Sequence, residues 1–446
     1  MVQSELGGGV FTAKMVETLR ALRVGGKPML SAWLLETMLN RAGLSIRTIM
    51  NAGANTAIVA KLTAEERMAL KNALFEFSIS AFYTSMKPYG FDICEMLLFD
   101  VEMDGTSKAF VSGNVVYYAP QLTAERFFSI TTDMPFINEA LGLRYRPNNP
   151  SIVQTPDGYT ILLRGINHKH EDGRDFRSLA DDQTFRSRYF VLKADRGFNV
   201  LSRSELSLHH VKRRVLPNPR YKNEGIEDAR AVLWNSDVWF TASAYDQSEQ
   251  HAVSIVLCRI ASQPDSTGLT RVVSWTPLQG PDPHRDEKNW LPYVHQGELR
   301  ALYSLGPPLP VRVQPASGQW LPLNGPSEAS TGWDLSRLRG SAGPLPFPVN
   351  GEMGQLCVAH EVSLRHSGGR WYVHRFVWLD STGALRRVSH MFFFDHLGVE
   401  YCCGMAPAHD TPEMLLTVGV EEGTARMYGV SLATIAAMLK PIPSLM

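Results

Sequence analysis

The chain has 446 residues, of which 44% are hydrophobic and 20% charged, as in a soluble protein with one large β architecture or about two to three ordinary domains. Its 44 lysines and arginines balance its 44 aspartates and glutamates, so no positive field attracts a nucleic acid or an anionic membrane. No apolar run approaches the roughly 18 residues of a membrane span, and the five cysteines lack C-x-x-C spacing. We expect a cytoplasmic protein without membrane span, nucleic-acid partner, metal or cofactor; secretion by another route stays open.

Residues 12–86 differ from the rest of the chain because apolar residues recur there at helical spacing. Three stretches show this pattern: AKMVETLRALR, SAWLLETMLNRAG and TAEERMALKNALFEFSISAFY, the last of which opens with the capping box TAEE. We therefore predict a helical N-terminal extension over residues 1–87 that is separable from the remainder. Its helices are the candidate surface for a homo-oligomer.

From residue 88 the sequence changes to short β-like runs separated by turn residues, such as TPDG and ADRG. Roughly 300 residues of this pattern are too many for one sandwich and divide into about five units of four strands. We predict an all-β domain over residues 88–446, folded as a five-bladed β-propeller. One further helix is expected near residues 431–440, and a Pro-, Gly- and Ser-rich surface loop is expected at 314–350.

Polar residues cluster at the ends of the predicted strands. The candidate site residues are Asn149, Arg164, Arg186, Glu227, Asp228, Arg230, Lys288, Asn289, Arg339, His360 and Glu361, with Tyr303 as an aromatic ring. Because corresponding strand ends of propeller blades meet at one mouth of the central channel, we expect these side chains to share a pocket. Sugars need this mixture, since charged planar groups bind vicinal hydroxyls and an aromatic face covers the C–H surface of the ring.

Each cluster also has an ordinary structural explanation. The adjacent carboxylates Glu227 and Asp228 are costly to bury, so in isolation they indicate a solvated turn. Lys288 and Asn289 fit a polar loop, and His360 fits a strand histidine with satisfied hydrogen bonds. The His168-x-His170 and His209-His210 pairs lack carboxylates at metal-ligand spacing and are not expected to bind zinc. The occurrence of all the clusters in one order favours a functional site.

That order resembles the β-mannoside phosphorylase family (glycoside hydrolase family 130) and the related glycosyltransferases. The resemblance is carried by NPSI (149–152), GIEDAR (225–230), DEKNW (286–290), GSAGPLP (340–346) and CVAHEV (357–362). It covers about residues 140–430 and implies a five-bladed propeller. By this resemblance Asp228 is the general acid of an inverting transfer. Glu227 would either raise the pKa of Asp228 or bind the sugar.

The sequence departs from the family at the strand that follows DEKNW (286–290). This strand ends ALYSLGPPLP. Phosphorylases of this family have a His-Arg-Pro strand end there that helps to hold phosphate. We therefore expect transfer from an activated sugar in preference to phosphorolysis. The candidates for binding the diphosphate of the donor are Lys288, Arg312 and Arg339.

The sequence thus predicts a glycosyltransferase-type enzyme that transfers a hexose, mannose by resemblance, with inversion. Its partners would be a sugar donor (a sugar nucleotide or sugar phosphate) and a glycan acceptor. One alternative is a β-glycoside phosphorylase or hydrolase on the same fold. A different class of protein, a non-catalytic glycan-binding propeller, is favoured if Asp228 proves dispensable while sugar binding persists.

Overall fold

The computed structural model describes residues 49–51, 56–59, 63, 65, 94–103, 109–118, 121–130, 137–138 and 143–442, the last with gaps at 172–174, 181, 210, 214, 217, 324–337, 365–369 and 396–397. The chain divides into two compact units, residues 1–120 and 121–446. The candidate site residues all belong to the second unit.

The first unit contains one antiparallel sheet in the order β1-β2-β4-β3. Its strands are β1 (Ile49–Asn51), β2 (Thr56–Val59), β3 (Cys94–Met103) and β4 (Ala109–Tyr118). β1 and β2 lie inside the predicted helical extension, where β-branched residues between two of the helical stretches favour strands. Apart from Thr63 and Glu65, the three stretches with helical spacing lie outside the described residues. The helices, the boundary after residue 87 and the homo-oligomer therefore stay predictions.

The second unit is built almost entirely from β-strands, as the sequence predicts. In chain order its elements are β5 (Arg126–Ser129), β6 (Ile137–Asn138), β7 (Leu143–Arg144), β8 (Arg146–Thr155), β9 (Gly158–Ile166), β10 (His168–Glu171), β11 (Asp175–Ser178), β12 (Phe185–Asp195), β13 (Val200–Ser207), β14 (Asn223–Glu224), β15 (Ile226–Trp234), β16 (Asp237–Ala244), β17 (Ser254–Ile260), β18 (Thr270–Leu278), β19 (Leu291–His295), β20 (Glu298–Leu305), β21 (Pro308–Val313), β22 (Trp320–Pro322), β23 (Arg339–Val349), β24 (Glu352–Leu364), β25 (Arg370–Leu379), β26 (Leu385–Val388), β27 (Glu400–Pro407), β28 (Glu413–Val420), β29 (Thr424–Ser431), α1 (Leu432–Met438) and β30 (Lys440–Pro441).

Most of these strands form antiparallel groups of four. The groups are β8-β9-β12-β13, β15-β16-β17-β18, β19-β20-β21-β22, β23-β24-β25-β26 and β27-β28-β29-β5. A short parallel pairing of β13 with β18 joins the first two groups into a nine-stranded sheet that includes β14. Because β5 precedes the first group along the chain yet pairs with β29 in the last one, the two ends of the unit are tied together.

The first strands of the groups form a ring. β8 contacts β15, β15 contacts β19, β19 contacts β23, β23 contacts β27, and β27 contacts β8. Among the described residues, each of these strands has a sheet partner on one side only, and its other side contacts the neighbouring strands of the ring. This arrangement is propeller-like, in agreement with the all-β fold expected from the sequence.

Hydrophobic cores lie between neighbouring groups. Leu162 of the first group packs in one cluster with Phe240 of the second, and Val232 of the second packs with Ala301 of the third. Phe240 is fully buried, and burial of such a side chain stabilises the fold by about 1.5 to 3 kcal/mol. The groups are therefore held face to face by apolar side chains that alternate along their strands.

The predicted loop at 314–350 is wrong in two parts, because residues 320–322 form β22 and residues 339–349 form β23. The prolines in β23 favoured a loop in the sequence. Among the described residues, β23 pairs only with β24, and register shifts interrupt this pairing. Prolines, which lack an N–H group, are tolerated in such a strand because one of its edges forms no sheet hydrogen bonds. Asn350 and Gly351, with φ angles of 53° and 82°, then make the two-residue turn into β24.

The predicted C-terminal helix is confirmed as α1. Ser431 caps it, because its side chain accepts a hydrogen bond from the backbone N–H of Thr434 at 3.0 Å. The carboxylate of Glu125 accepts from the N–H of Ser431 at 2.8 Å and so fixes the entry to the helix. In the described part of the chain, no helix is long and apolar enough to cross a bilayer.

Candidate active site

A cavity of about 440 Å³ lies at one end of the strand ring. Every ring strand, or the turn before it, contributes a lining residue: Asn149, Asp228, Asn289, Arg339 and Tyr401. Residues that are up to 252 positions apart in the sequence therefore face one space. This is the convergence of strand ends that the sequence clusters predict.

Three of these five ring-strand residues have an unusual backbone conformation. Asn149, Asp228 and Asn289 have φ angles of 35°, 52° and 65°, in the region that Asn and Asp tolerate better than other non-glycine residues. The pairing of β8 with β9 and of β15 with β16 is interrupted by register shifts at Asn149 and Asp228. Such bulges redirect side chains, and here they bring an amide and a carboxylate to the cavity.

Arg164 of β9 forms ion pairs with both of the adjacent carboxylates. Its Nη2 donates to Oε1 of Glu227 at 2.7 Å, and its Nη1 donates to Oδ1 of Asp228 at 2.9 Å. Its Nε donates to Oγ of Ser187 at 2.9 Å, so the guanidinium is fixed from a third side. Because Arg164 is only 4% exposed, these charge-assisted bonds are strong and geometrically specific.

Glu227 is anchored as an anion. Tyr245 donates its hydroxyl to Oε2 at 2.6 Å, and Asn223 donates to Oε1 at 3.1 Å. Burial acts to raise the pKa of Glu227, but the charges of Arg164 and Lys288 and the hydrogen bond from Tyr245 outweigh it and lower the pKa to about 2. Glu227 is therefore ionised at neutral pH, and it is not the carboxylate that could hold a proton for a leaving group.

Asp228 has one oxygen engaged and one oxygen available. Oδ1 accepts from Nδ2 of Asn149 at 2.8 Å as well as from Arg164. Oδ2 makes no hydrogen bond or ion pair within the part of the chain that the structure describes, and 26% of the side chain is exposed. The carboxyl group is thus held in one orientation with an oxygen left for a ligand in the cavity.

Two cations line the cavity without a carboxylate partner. Lys288 and Arg339 are exposed and form no ion pair with any described residue. The Lys288 ammonium lies 3.3 Å from the hydroxyl of Tyr245 and 5.4 Å from the centre of its ring. Exposed cations that make no direct ion pair are suited to an anionic group on a ligand, such as a phosphate.

His360 lies in the cavity wall as a neutral side chain. Burial, and then the charges of His374, Arg339 and Arg230, hold the pKa of His360 well below its usual range. Its Nδ1 lies 3.0 Å from Oγ of Ser341. At neutral pH His360 can therefore donate or accept a hydrogen bond but adds no charge to the cavity.

Arg230 is buried next to the cavity and forms hydrogen bonds to residues of its wall. It donates to the carbonyl oxygen of Asp228 at 3.0 Å, to Oδ1 of Asn289 at 3.0 Å and to the carbonyl oxygen of Ser341 at 3.1 Å. Tyr401 also bonds to Asn289 Oδ1, at 2.9 Å. Arg230 was predicted to bind substrate, but its donors are used to connect three ring strands, because the side chain is buried.

Two predicted arginines lie outside the cavity. Arg186 pairs with Asp182 and with Glu224, at 2.5 Å and 2.8 Å, and lines a neighbouring groove. Arg312 of β21 was expected to bind the donor diphosphate, but it forms an ion pair with Glu298 of β20 at 2.9 Å. Their positions on the outer strands of their groups explain why they do not reach the ring.

Tyr303 and Glu361 are also placed elsewhere. The Tyr303 hydroxyl donates to Glu287 at 3.1 Å, and its ring stacks on Trp320 with centroids 5.8 Å apart. Glu361 is buried and accepts from Arg375 at 2.7 Å. It follows His360 in β24, and because neighbouring strand residues face opposite sides, only His360 reaches the cavity.

Eight polar residues of the cavity wall were not predicted from the sequence: Asn148, His168, Tyr221, Asn223, Tyr245, Tyr372, Tyr401 and Glu422. A lone tyrosine has no spacing that marks it as functional. Tyr245 does directly follow the second strand of its hairpin, opposite the Glu227-Asp228 pair. This position opposite the two carboxylates was the sequence signal that could have identified Tyr245 as a residue of the cavity.

Within the described ranges, no three His, Cys, Asp or Glu side chains are grouped as metal ligands. Four cysteines, Cys258, Cys357, Cys402 and Cys403, are buried as free thiols. Burial raises the pKa of each of these thiols, so they are unreactive at neutral pH.

No protein-family model and no curated protein matches this chain. Among solved structures, β-1,2-mannobiose phosphorylase from Listeria innocua shares 14% identity, with a TM-score of 0.45, and the match covers 70% of this chain and 99% of the other. A GDP-Man-dependent mannosyltransferase from Leishmania mexicana shares 10% identity, with a TM-score of 0.41 and coverage of 69% and 91%. A mannose phosphorylase from Leishmania mexicana in complex with phosphate shares 13% identity, with a TM-score of 0.39 and coverage of 74% and 92%. The matched structures include mannoside phosphorylases, the kind of protein whose motifs the sequence resembles.

Proposed function

We propose that the second unit is a five-bladed β-propeller whose blades are the five groups of strands. We further propose that the cavity at the end of the ring is the active site of an inverting glycosyl-transfer enzyme that acts on a hexose such as mannose. The donor would be a sugar phosphate or sugar nucleotide, and the acceptor a glycan. The ordered motifs and the cavity chemistry support this proposal.

The observation that carries the proposal is the arrangement of Asp228. One oxygen is fixed by Asn149 and Arg164, and the other is left for a ligand. When the glycosidic bond forms, the acceptor hydroxyl attacks the anomeric carbon, its proton passes to Asp228, and the bond to the phosphate oxygen breaks. In the reverse direction Asp228 returns the proton to the departing glycosidic oxygen, because acid and base roles exchange between the two directions.

The other charged groups have distinct proposed roles. Ionised Glu227 accepts hydrogen bonds from sugar hydroxyls, which orients the ring against Asp228. Lys288 and Arg339 stabilise the negative charge that develops on the leaving phosphate. His360 and Asn289 supply neutral hydrogen bonds at the wall.

A second candidate function is phosphorolysis of a β-glycoside. It is favoured by the same pair of free cations, because Lys288 and Arg339 can hold inorganic phosphate as well as a diphosphate. The absence of the His-Arg-Pro strand end from the sequence keeps this function second.

The test is incubation of the purified protein with sugar nucleotides and hexose 1-phosphates, each with a panel of glycan acceptors, followed by mass spectrometry. We expect a product one hexose heavier than the acceptor. Phosphate-dependent cleavage of a β-glycoside without synthesis from a sugar nucleotide would select the second candidate. Binding of glycans with no product from any donor would overturn both and leave a glycan-binding propeller.

A further inference from the structure

A second hollow, of about 900 Å³, lies beside the candidate active site. We call it the side groove and define it by Arg188, Glu205, Arg213, Asn218 and Asp246, which lie along its walls. Its walls come from β12, β13 and the start of β15, together with described residues between 207 and 221. Of the sequence motifs, only the start of GIEDAR lies in its wall, at Gly225 and Ile226, and Arg186 is the one predicted site residue that lines it.

The side groove adjoins the active-site cavity. Tyr221, Asn223 and Tyr245 line both spaces, and the rings of the two tyrosines meet edge to face with centroids 5.1 Å apart. Tyr245 and Asn223 are also the residues that bond to Glu227. These three side chains form a wall between the two spaces, and a ligand would reach the side groove from the cavity over the partly exposed Tyr221 and Asn223.

The arginines of the side groove all form ion pairs, whereas Lys288 and Arg339 of the cavity form none with a described residue. The ion pairs of the groove are Arg186 with Asp182 and Glu224, Arg188 with Glu205, and Arg213 with Asp246. Arg213 and Asp246 lie 2.6 Å apart with about a fifth of each side chain exposed. Paired charges give a polyanion little net attraction, but their remaining donors and acceptors still bind neutral hydroxyl groups.

Aromatic rings pack against these polar groups: Tyr145 lines the groove but is buried, and Trp275 lies behind Arg213 outside the lining. The Arg188 guanidinium lies 5.4 Å from the ring centre of Tyr145, and Arg213 lies 5.2 Å from that of Trp275. Tyr221 is held in place at the junction, because its hydroxyl donates to Asp286 at 2.6 Å. Planar polar groups beside fixed rings match the alternating hydroxyl and C–H faces of a sugar.

We propose that the side groove binds the further, neutral sugar units of an oligosaccharide whose reactive end lies at Asp228. This inference rests on the proposed function, and it assigns the two spaces different ligands. The cavity with its free cations takes the phosphate-bearing sugar, and the groove with its paired arginines takes the uncharged chain. The enzyme would then prefer longer acceptors to single sugars.

The test compares Arg213→Ala with Arg259→Ala. Arg259 is a matched control, because it also pairs with an aspartate, Asp237 at 2.9 Å, and lies over a tryptophan ring, Trp239 at 5.7 Å, but does not line the groove. The probes are neutral β-linked manno-oligosaccharides, from the monosaccharide to the tetrasaccharide, with affinity measured by calorimetry. Loss of one or two hydrogen bonds lowers affinity about three- to tenfold.

In the wild type and in Arg259→Ala we expect affinity to rise with chain length. In Arg213→Ala we expect the tetrasaccharide to bind about three- to tenfold more weakly and the monosaccharide to bind as before. Affinity that does not rise with length in the wild type, or a tetrasaccharide affinity in Arg213→Ala equal to that of the wild type, would overturn the groove assignment.

Failure of the proposed function would look different. These binding measurements need no turnover, so a protein without transferase or phosphorylase activity could still show the length dependence. Conversely, an active enzyme in which Arg213→Ala leaves the tetrasaccharide affinity unchanged would retain the proposed function and lose the groove assignment.

Discussion

Two arginine–carboxylate clusters of the second unit have similar geometry and very different surroundings. Arg164 meets Glu227 at 2.7 Å, and Arg375 meets Glu361 at the same distance. The second pair is closed, with 4% and 6% of the side chains exposed, whereas Asp228 beside the first pair is 26% exposed. An ion pair alone therefore does not identify a functional carboxylate.

The backbone makes the difference. Asp228 lies at a break in the pairing of β15 with β16 and has a positive φ angle, so its side chain leaves the regular alternation. Glu361 lies in an unbroken pairing of β24 with β25, opposite Val373. A bulge beside a cavity exposes one carboxylate, and a regular strand buries the other.

The largest expected effect is that of Asp228→Asn on turnover. The amide keeps the size and hydrogen-bonding capacity of the side chain but cannot exchange the proton, so the rate should fall on the order of 10²- to 10⁴-fold. Sugar affinity and melting temperature should change little. The measurement is kcat and Kd, beside a thermal melt.

Glu361→Gln is the matched control for Asp228→Asn. It should lower the free energy of unfolding, because it leaves Arg375 buried beside a neutral partner, and the turnover of the folded enzyme should stay within about threefold of wild type. A rate loss in Glu361→Gln as large as that in Asp228→Asn would remove the distinction between the two clusters.

The next effect concerns the two arginines. Arg164→Lys keeps the charge but loses the fork that orients Glu227 and Asp228 together, so we expect kcat to fall about 10²-fold. Arg375→Lys should lower the melting temperature and leave kcat within about threefold of wild type. Equal kcat losses in both variants would show that the first cluster acts through stability alone.

Lys288→Ala should weaken binding of a charged donor roughly 10- to 100-fold, since a charge-assisted hydrogen bond is lost. A neutral glycoside should bind almost as in the wild type. Lys193→Ala is the control, because that lysine bonds to the carbonyl of Ser262 away from the cavity. Calorimetry with both ligands measures the difference, and equal weakening for both would argue against a phosphate-binding role.

The smallest effect is on the pH dependence of stability. Burial lowers the pKa of His374 to about 3, whereas the unfolded side chain titrates near 6.5. Between about pH 3 and pH 6.5 the unfolded state therefore binds more protons than the folded state. The contribution of His374 to the free energy of unfolding is fully present above about pH 6.5 and is lost as the pH falls toward 3. The loss is at most about 1.4 kcal/mol per pH unit.

His374→Gln should make the fall in stability below pH 6.5 shallower. The exposed His284 provides the control variant, His284→Gln, which should leave the slope unchanged. Denaturant unfolding at several pH values measures both. A slope that is the same in wild type and His374→Gln would contradict this assignment.

Sequence reasoning found Asn149, Asp228 and Asn289 because each adjoins a strand end and carries chemistry in a motif. It did not separate His360 from Glu361, although strand alternation means that only one of two neighbours can face the cavity. Arg186 could not be excluded, since its carboxylate partner Glu224 comes from a separate strand. Partners brought together by tertiary pairing leave no local trace in the sequence.

The side groove shows the same limit. Its arginines and carboxylates are scattered between residues 182 and 246 without a motif, and their charges balance only because the fold pairs them. Tyr245 joins the groove to the cavity through a hydrogen bond to Glu227. No spacing rule connects a tyrosine with a glutamate eighteen residues before it.

The most direct measurement compares wild type and Asp228→Asn on two substrates of the same sugar, a β-linked disaccharide and a dinitrophenyl β-glycoside, with inorganic phosphate or a nucleoside diphosphate present to accept the sugar. The sugar leaving group needs a proton, and the dinitrophenolate does not. We predict that the variant cleaves the disaccharide on the order of 10²- to 10⁴-fold more slowly and cleaves the aryl glycoside within about threefold of wild type. An equal loss on both substrates, or no loss on either, would contradict proton transfer by Asp228.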